Sequence, residues 1–350
     1  MKPAAFSLSL LAALGVADTR SDPRGLPAAR VTIDSRKGEL VIELAAVDLP
    51  AGAAHHAVHH TAGQPPVAAV EIPAAGAVYG FRVEVVDETG ALLPPELVHH
   101  FNLIDPADRE LFLPIARRMV AAGPETGHIK GPWLLFGLPF ARGARLIANV
   151  MLHNPTAVSY RGVRTRLILD YTPASRPWPI WEVYPWQLDV AFPVGDKSYD
   201  LPPGRSERFY EGSPAVPGKI VAIGGHLHDY GVTLEVTDVT TGEVIWSAQP
   251  VRDSAQRLVA IPIGKLYGWS RLGAHVVPEH RYRVTAVYQN PTGQVIRGGG
   301  MGVVAGLFVP DKGARWPAAD VHDTLYLSDL RHAMRLQENG TAVPVEHVRH

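Results

Sequence analysis

Cysteine is absent from this 350-residue sequence. Its absence excludes disulfides, zinc–thiolate sites, iron–sulfur clusters and thiol nucleophiles together. Any transition ion must be held by histidine, methionine or carboxylate. An excess of charge is lacking as well: 33 Lys and Arg against 34 Asp and Glu leave a net −1, with a pI near 7.0. That balance gives no electrostatic footing for nucleic acid or an anionic membrane. No apolar run reaches the length of a membrane span. Gly-x-Ser-x-Gly, His-Glu-x-x-His and Gly-x4-Gly-Lys do not occur, and Gly298-Gly299-Gly300 opens no evident helix, so it does not read as a dinucleotide loop.

What is plentiful is equally informative. There are 33 glycines, 31 prolines and 16 histidines, and 46% of residues are hydrophobic, with mean hydropathy +0.02. Such a chain is folded, not disordered, and its breakers favour strands joined by turns over helices. Its length suits one large or two ordinary domains. Lys2, the apolar stretch from Ala4 to Val16 and the small residues Gly15 and Ala17 have the parts of a secretory signal over residues 1–17. The expected setting is therefore secreted or periplasmic, where a cysteine-free protein is stable without disulfides.

Period-two alternation dominates the rest. Leu40, Ile42 and Leu44 alternate with polar or smaller neighbours, as do Phe81, Val83 and Val85, the run from Leu146 to Leu152, and Val163 through Leu169. Val232, Leu234 and Val236 lead through Thr240-Thr241-Gly242 into Val244 and Trp246 as a hairpin, and Tyr282 to Tyr288 alternates again. The fold class is all-β, with antiparallel β-sandwich sheets each burying one face. Helical spacing is convincing only over Leu111–Ala122 and Asp320–Gln337.

One echo suggests duplication. The strand ending at Leu152 runs into His153-Asn154-Pro155-Thr156, and that ending at Tyr288 runs into Gln289-Asn290-Pro291-Thr292. Two tandem sandwiches follow, over 28–195 and 200–310, with a tail over 311–350 carrying one helix. The Pro-rich join from Tyr171 to Pro203 holds Trp178, Trp181, Tyr184 and Trp186, which reads as an inter-domain packing patch.

Histidine placement carries the chemistry. In Gly225-His226-Leu227-His228-Asp229, residues two apart on a strand share a face, so both imidazoles can meet one ion. His99-His100 are neighbours, which point to opposite faces, so joint ligation there needs a bulge or a strand end. His153 sits at the turn end of its strand. Met301 stands among Gly298, Gly299, Gly300 and Gly302, poorly placed as core filler and suited to a thioether ligand. His55, His56, His59 and His60 are spaced four apart between glycine-bearing flanks and read as a surface loop. His128, His275, His280, His322, His332, His347 and His350 show no partner spacing.

Taken in order, Val98-His99-His100-Phe101, Met151-Leu152-His153-Asn154, Gly225-His226-Leu227-His228 and Gly300-Met301 resemble the copper type II, ascorbate-dependent monooxygenases, which include peptidylglycine α-hydroxylating monooxygenase and dopamine β-monooxygenase. The resemblance covers roughly residues 30–310. It implies two β-sandwich domains, each holding one copper ion across a solvent-filled cleft. His99, His100 and His153 would hold the electron-donating copper, and His226, His228 and Met301 the oxygen-binding one. It further implies hydroxylation of a C–H bond with dioxygen and an external reductant such as ascorbate. Independently, two imidazoles and a thioether form a soft, neutral donor set suited to Cu(I). The family's substrate-binding Arg corresponds to Gly224, and Gly302, Val303, Val304 and Ala305 follow the methionine, so an apolar or bulky small molecule fits this lining better than peptidylglycine. The same residues would serve a non-catalytic protein of copper storage, delivery or sensing.

Overall fold

The computed structural model describes residues 26–52, 67–123, 126–193, 197–254 and 257–334. The expected leader over 1–17, and His55, His56, His59, His60, His347 and His350, lie outside the described residues. In chain order the first strands are β1 (Arg30–Asp34), β2 (Glu39–Glu43), β3 (Val47–Leu49), β4 (Val67–Glu71), β5 (Gly76–Val86), β6 (Val98–Arg109), β7 (Ala116–Ala122), β8 (Ile129–Lys130), β9 (Phe136–Phe140), β10 (Arg145–Leu152), β11 (Tyr160–Pro173) and β12 (Trp181–Glu182). Then come β13 (Tyr184–Asp189), β14 (Tyr199–Leu201), β15 (Gly204–Gly212), β16 (Gly218–Leu227), β17 (Gly231–Asp238), β18 (Glu243–Ala248), β19 (Val251–Arg252), β20 (Leu258–Ala260), β21 (Gly264–Lys265), β22 (Ala274–Val276), β23 (Tyr282–Asn290), β24 (Ile296–Gly300), β25 (Gly302–Pro310) and the helix α1 (Thr324–Met334).

The alternating runs become strands because each places apolar side chains on one face only. Leu40 and Ile42 of β2, Leu167 and Leu169 of β11, Phe101 and Leu103 of β6, and Leu146, Ala148 and Val150 of β10 close one core. It lies between the sheet β1-β2-β11-β5-β9-β12 and the sheet β4-β10-β6-β7. A second core, with Leu188 of β13, Ile223 of β16, Leu234 of β17, Val284 of β23 and Val304 of β25, lies between β13-β25-β16-β21 and β15-β23-β17-β18. The strand order repeats: β2-β11-β5 matches β13-β25-β16, and β4-β10-β6-β7 matches β15-β23-β17-β18.

The turn echo repeats atom for atom. Asn154 Nδ2 donates to the carbonyls of Pro50 and Val158, while its Oδ1 accepts from Thr156 N and Oγ1. Asn290 Nδ2 donates to Pro202 and Gln294, and its Oδ1 accepts from Thr292 N and Oγ1. A second echo lies beneath it. Asp48-Leu49-Pro50-Ala51-Gly52 and Asp200-Leu201-Pro202-Pro203-Gly204 share a pattern, and Asp48 and Asp200 accept from the amides of Gly162 and Gly298. Both glycines have φ near +60°, a left-handed conformation that glycine adopts without penalty.

Two expectations are corrected. The chain crosses between sandwiches at Val183, not over 195–200, because β13 hydrogen-bonds along β25 whereas β12 pairs with β9. The segment Leu111–Ala122 is not helical. Its second half is β7, buried against the core on one side and against α1 on the other, so period-two alternation is lost. Its first half enters the second sandwich, where Leu111, Phe112, Leu113 and Ile115 join that core and Phe112 packs on Trp186 and Tyr282. The tail helix stands as α1 and covers the outer face of β6 and β10 through Tyr326, Ile104 and Ile147. Of the aromatic run, Trp186 sits in the second core, while Trp181 packs with Phe136, Val183, Val221 and Val309 where the sandwiches meet. Among the described residues no helix is long and apolar enough to cross a membrane.

Candidate metal centre at the junction of the two sandwiches

His99 and His100 lie in β6, beside β10. His100 is the cross-strand partner of Met151 and Val98 that of Leu152, with a register shift between Met151 and Leu152. His99 is therefore the extra residue of a β-bulge. A bulge sets two consecutive residues against one, so both can project to the same side. The ring centroids of His99 and His100 are 4.2 Å apart. Val98 and Phe101 turn inward to the core, which leaves both imidazoles on the outer face. His153 follows on β10, its amide donating to Leu97 O at 2.9 Å.

In the second sandwich Leu227, the last residue of β16, points into the core, so His226 lies on the outer face of the strand and His228 directly follows it. Leu227 pairs with Gly302 and His226 with Val303. Continued by one residue, that register sets His228 opposite Met301. Cross-strand partners share a face, so His226 lies on the face of Val303, and His228 and Met301 stand just beyond the last pair, Leu227 with Gly302. The hydroxyl of Tyr288, buried beneath them, accepts from the amides of His228 and Met301, each at 3.0 Å, and donates to the Met301 carbonyl. This one oxygen ties the two backbone segments together. The turn that follows is fixed as well: Tyr230 has φ 68°, in the left-handed region, and Gly231 N donates to His228 O at 3.2 Å. Such a conformation in a bulky residue is held by its surroundings.

The outer faces of these two sheets meet. The His100 and His226 centroids are 6.5 Å apart at 84°, and those of His226 and His228 are 5.3 Å apart at 85°. Four imidazoles thus form a continuous series from one sandwich to the other. Burial pushes the His228 imidazole down to about 4; His226 and His99 add to the effect, and a backbone hydrogen bond with Gly298 opposes it. His228 is consequently neutral at physiological pH, the form that ligates metal.

The donor geometry can be tested against ligation. With imidazole–metal bonds of about 2.0 Å, each ring centroid lies about 3.2 Å from a bound ion, so two rings stand about 5.2 Å apart at a tetrahedral angle and about 6.4 Å apart when collinear. The His226–His228 pair fits the first spacing, and the His100–His226 pair the second. The His99–His100 pair is tighter than either. Among the described residues no group of three His, Asp or Glu side chains could hold a metal ion as it stands. The structure brings together pairs, therefore, and does not gather His153 with His99 and His100 into a closed set. Imidazole and thioether donors, which His226, His228 and Met301 supply close together in the chain pairing, form a soft set suited to copper.

Two features of this face are silent in the sequence motifs. Tyr288, read only as an apolar member of an alternating strand, organises the His228–Met301 backbone. Asp189 of β13 pairs with Val303, itself the partner of His226, and Asp189 is buried with Lys197 Nζ at 3.3 Å. A strand-end tyrosine followed some dozen residues later by the glycine-flanked methionine was the available signal for the first. Of the remaining described histidines, His128, His275 and His280 lie against Asp170, Asp311 and Asp238 at 2.6, 2.8 and 2.7 Å, as structural hydrogen-bond partners.

No family model and no curated protein sequence matches the chain. Among solved structures it is similar to that of Sulfolobus Turreted Icosahedral Virus, at 9% identity over 89% of this chain and 98% of that one, with a TM-score of 0.33. The mavirus major capsid protein gives 8% identity over 88% and 93%, with a TM-score of 0.22. Allantoicase from Saccharomyces cerevisiae gives 10% over 71% and 79%, with 0.17. Likenesses this slight carry no inference about function.

Proposed function

We propose that this protein is a secreted, copper-dependent monooxygenase-like protein that hydroxylates a C–H bond of a small, apolar or bulky substrate, using dioxygen and an external reductant such as ascorbate. The observation that carries the reading is the convergence of imidazoles from both sandwiches at one junction, reached by a bulge in β6 and by the two-residue spacing in β16. Copper would supply dioxygen activation and electron transfer when bound.

The chain's own residues have definable parts in that reading. His226, His228 and Met301 would hold one ion, with Tyr288 fixing the backbone from which two of them project. His99 and His100, with His153 at the end of the neighbouring strand, would hold the other. Val303 and Ala305 present apolar side chains on the same face, and Gly224 pairs with Ala305, with Ile263 packed over it. Apolar substrate surface would be desolvated against this wall, at about 25 cal/mol per Å² removed from water.

A specific observation favours a second reading, a non-catalytic copper protein of storage, delivery or sensing. The His100 and His226 rings are 6.5 Å apart, leaving little room for a substrate between the two sets. One experiment separates the two. Copper-loaded protein is given ascorbate and a panel of apolar substrates while oxygen uptake is recorded with Met301→Ala as control. Substrate-dependent uptake lost in the variant supports the monooxygenase. Stoichiometric copper with no substrate-dependent uptake supports storage or delivery, and failure to retain copper contradicts both.

A further inference from the structure

We propose that His100 and His226 together form a two-imidazole metal site across the sandwich junction, holding the first and tightest-bound monovalent copper ion. This rests on reading these histidines as copper ligands, but it departs from a division of the ligands by sandwich.

Two observations support it. The rings of His100 and His226 stand 6.5 Å apart, close to the separation of about 6.4 Å expected when two imidazoles face each other across one ion. Second, each ring is placed by a separate backbone device. The bulge at His99 fixes where His100 lies on β6, and the pairing of His226 with Val303 fixes His226 on β16. The same His226 also lies 5.3 Å from His228, which makes it the pivot between two possible partners. Imidazole nitrogen suits a soft monovalent ion, for which two-coordinate ligation is ordinary chemistry.

An ion in that position links the sandwiches. The site exists only while the outer face of β6 and that of β16 are held together, and the segment Leu111–Ile115 beyond the far end of β6 is anchored in the second core. Metal binding and junction integrity would then be coupled, because ligands drawn from two domains are brought together only in the folded, docked state.

The test is a double-mutant cycle in copper affinity. The full chain is titrated anaerobically with Cu(I) against a chromophoric chelator, as wild type, His100→Ala, His226→Ala and the pair combined. Each single substitution is expected to weaken the first equivalent at least about tenfold, with the combined variant no weaker than either alone. X-ray absorption on the one-equivalent sample is expected to show two nitrogen neighbours and no sulfur. Should an alanine variant fail to fold, as judged by circular dichroism, Gln at the same position keeps polar volume without an imidazole. Losses that multiply in the combined variant, or a sulfur neighbour in the one-equivalent spectrum, would overturn the shared site while leaving copper binding within the second sandwich intact. Absence of any tight equivalent in the wild type would instead remove the copper reading itself.

Discussion

Tyr288 accepts two backbone amides and donates to one carbonyl through a single buried oxygen. Removing that oxygen strands two donors, and a buried unsatisfied donor costs about 1–3 kcal/mol. Tyr288→Phe is therefore expected to lower stability to urea by that order and to weaken copper retention, since His228 and Met301 lose their common anchor. Unchanged copper affinity in a destabilised variant would confine Tyr288 to folding. Glu110 offers a pH test at the same scale. It is fully buried, its Oε1 accepting from Leu111 N and Gln187 N. Burial raises its carboxyl to about 7, against the pull of those amides and of Arg117 and Arg118. The folded chain thus keeps a proton that the unfolded chain releases above the ordinary carboxylate range. Its stabilising contribution is complete below pH 4.5 and is lost as pH rises through about 7. Glu110→Gln keeps the accepting oxygen and cannot ionise. Its stability is expected to stay flat where the wild type declines, ending higher at pH 8 by up to about 3 kcal/mol. Parallel pH profiles for the two proteins would show that Glu110 is ionised in the fold.

At the scale of elements, the duplicated turn sets a matched pair of expectations. Asn154 and Asn290 are 3% and 1% exposed and serve matching networks, Asn290 adding one bond to the Leu201 carbonyl. Either Asn→Ala leaves carbonyls and amides without partners, so losses of about 2–3 kcal/mol are expected at both sites, alike within error. A large loss at one and none at the other would mean that the repeat is one of sequence and not of energetics. The elements also show what could be read in advance. Strands with one solvated face, such as β2 and β23, were legible because alternation survives there. Strand β7 was not, because α1 covers its other face and both sides became apolar. The bulge at His99 was named as the condition for joint projection, yet nothing in Val98-His99-His100-Phe101 states that a bulge forms. That depends on where β10 ends its register, which is a property of the pairing. The Asp48 and Asp200 repeat was present in the sequence all along and is recognisable mainly once Gly162 and Gly298 are seen to need it.

Across the whole molecule, the two sandwiches share more than a face. Phe112 leaves the first and fills space against Trp186 and Tyr282 in the second, at 5.4 and 5.9 Å between ring centroids. Nearby, Arg117 is 4% exposed, held by Asp105 and Asp108 and flanked by the rings of Tyr184 and Trp316. Truncating a large buried aromatic costs about 3–5 kcal/mol. Phe112→Ala is accordingly expected to divide a single calorimetric transition into two as the sandwiches uncouple, and to reduce copper affinity because the imidazoles come from both halves. A variant that melts in one lowered transition would place the coupling elsewhere along the junction.

Copper held by junction imidazoles is the claim on which the rest depends, and nitrogen hyperfine spectroscopy of the Cu(II)-loaded full chain reads it most directly. Couplings characteristic of ligated imidazole are expected in the wild type and are expected to fall away when His100, His226 and His228 are replaced together by Gln in a chain that still folds. Copper that binds without imidazole couplings, or couplings undiminished in that variant, would contradict it.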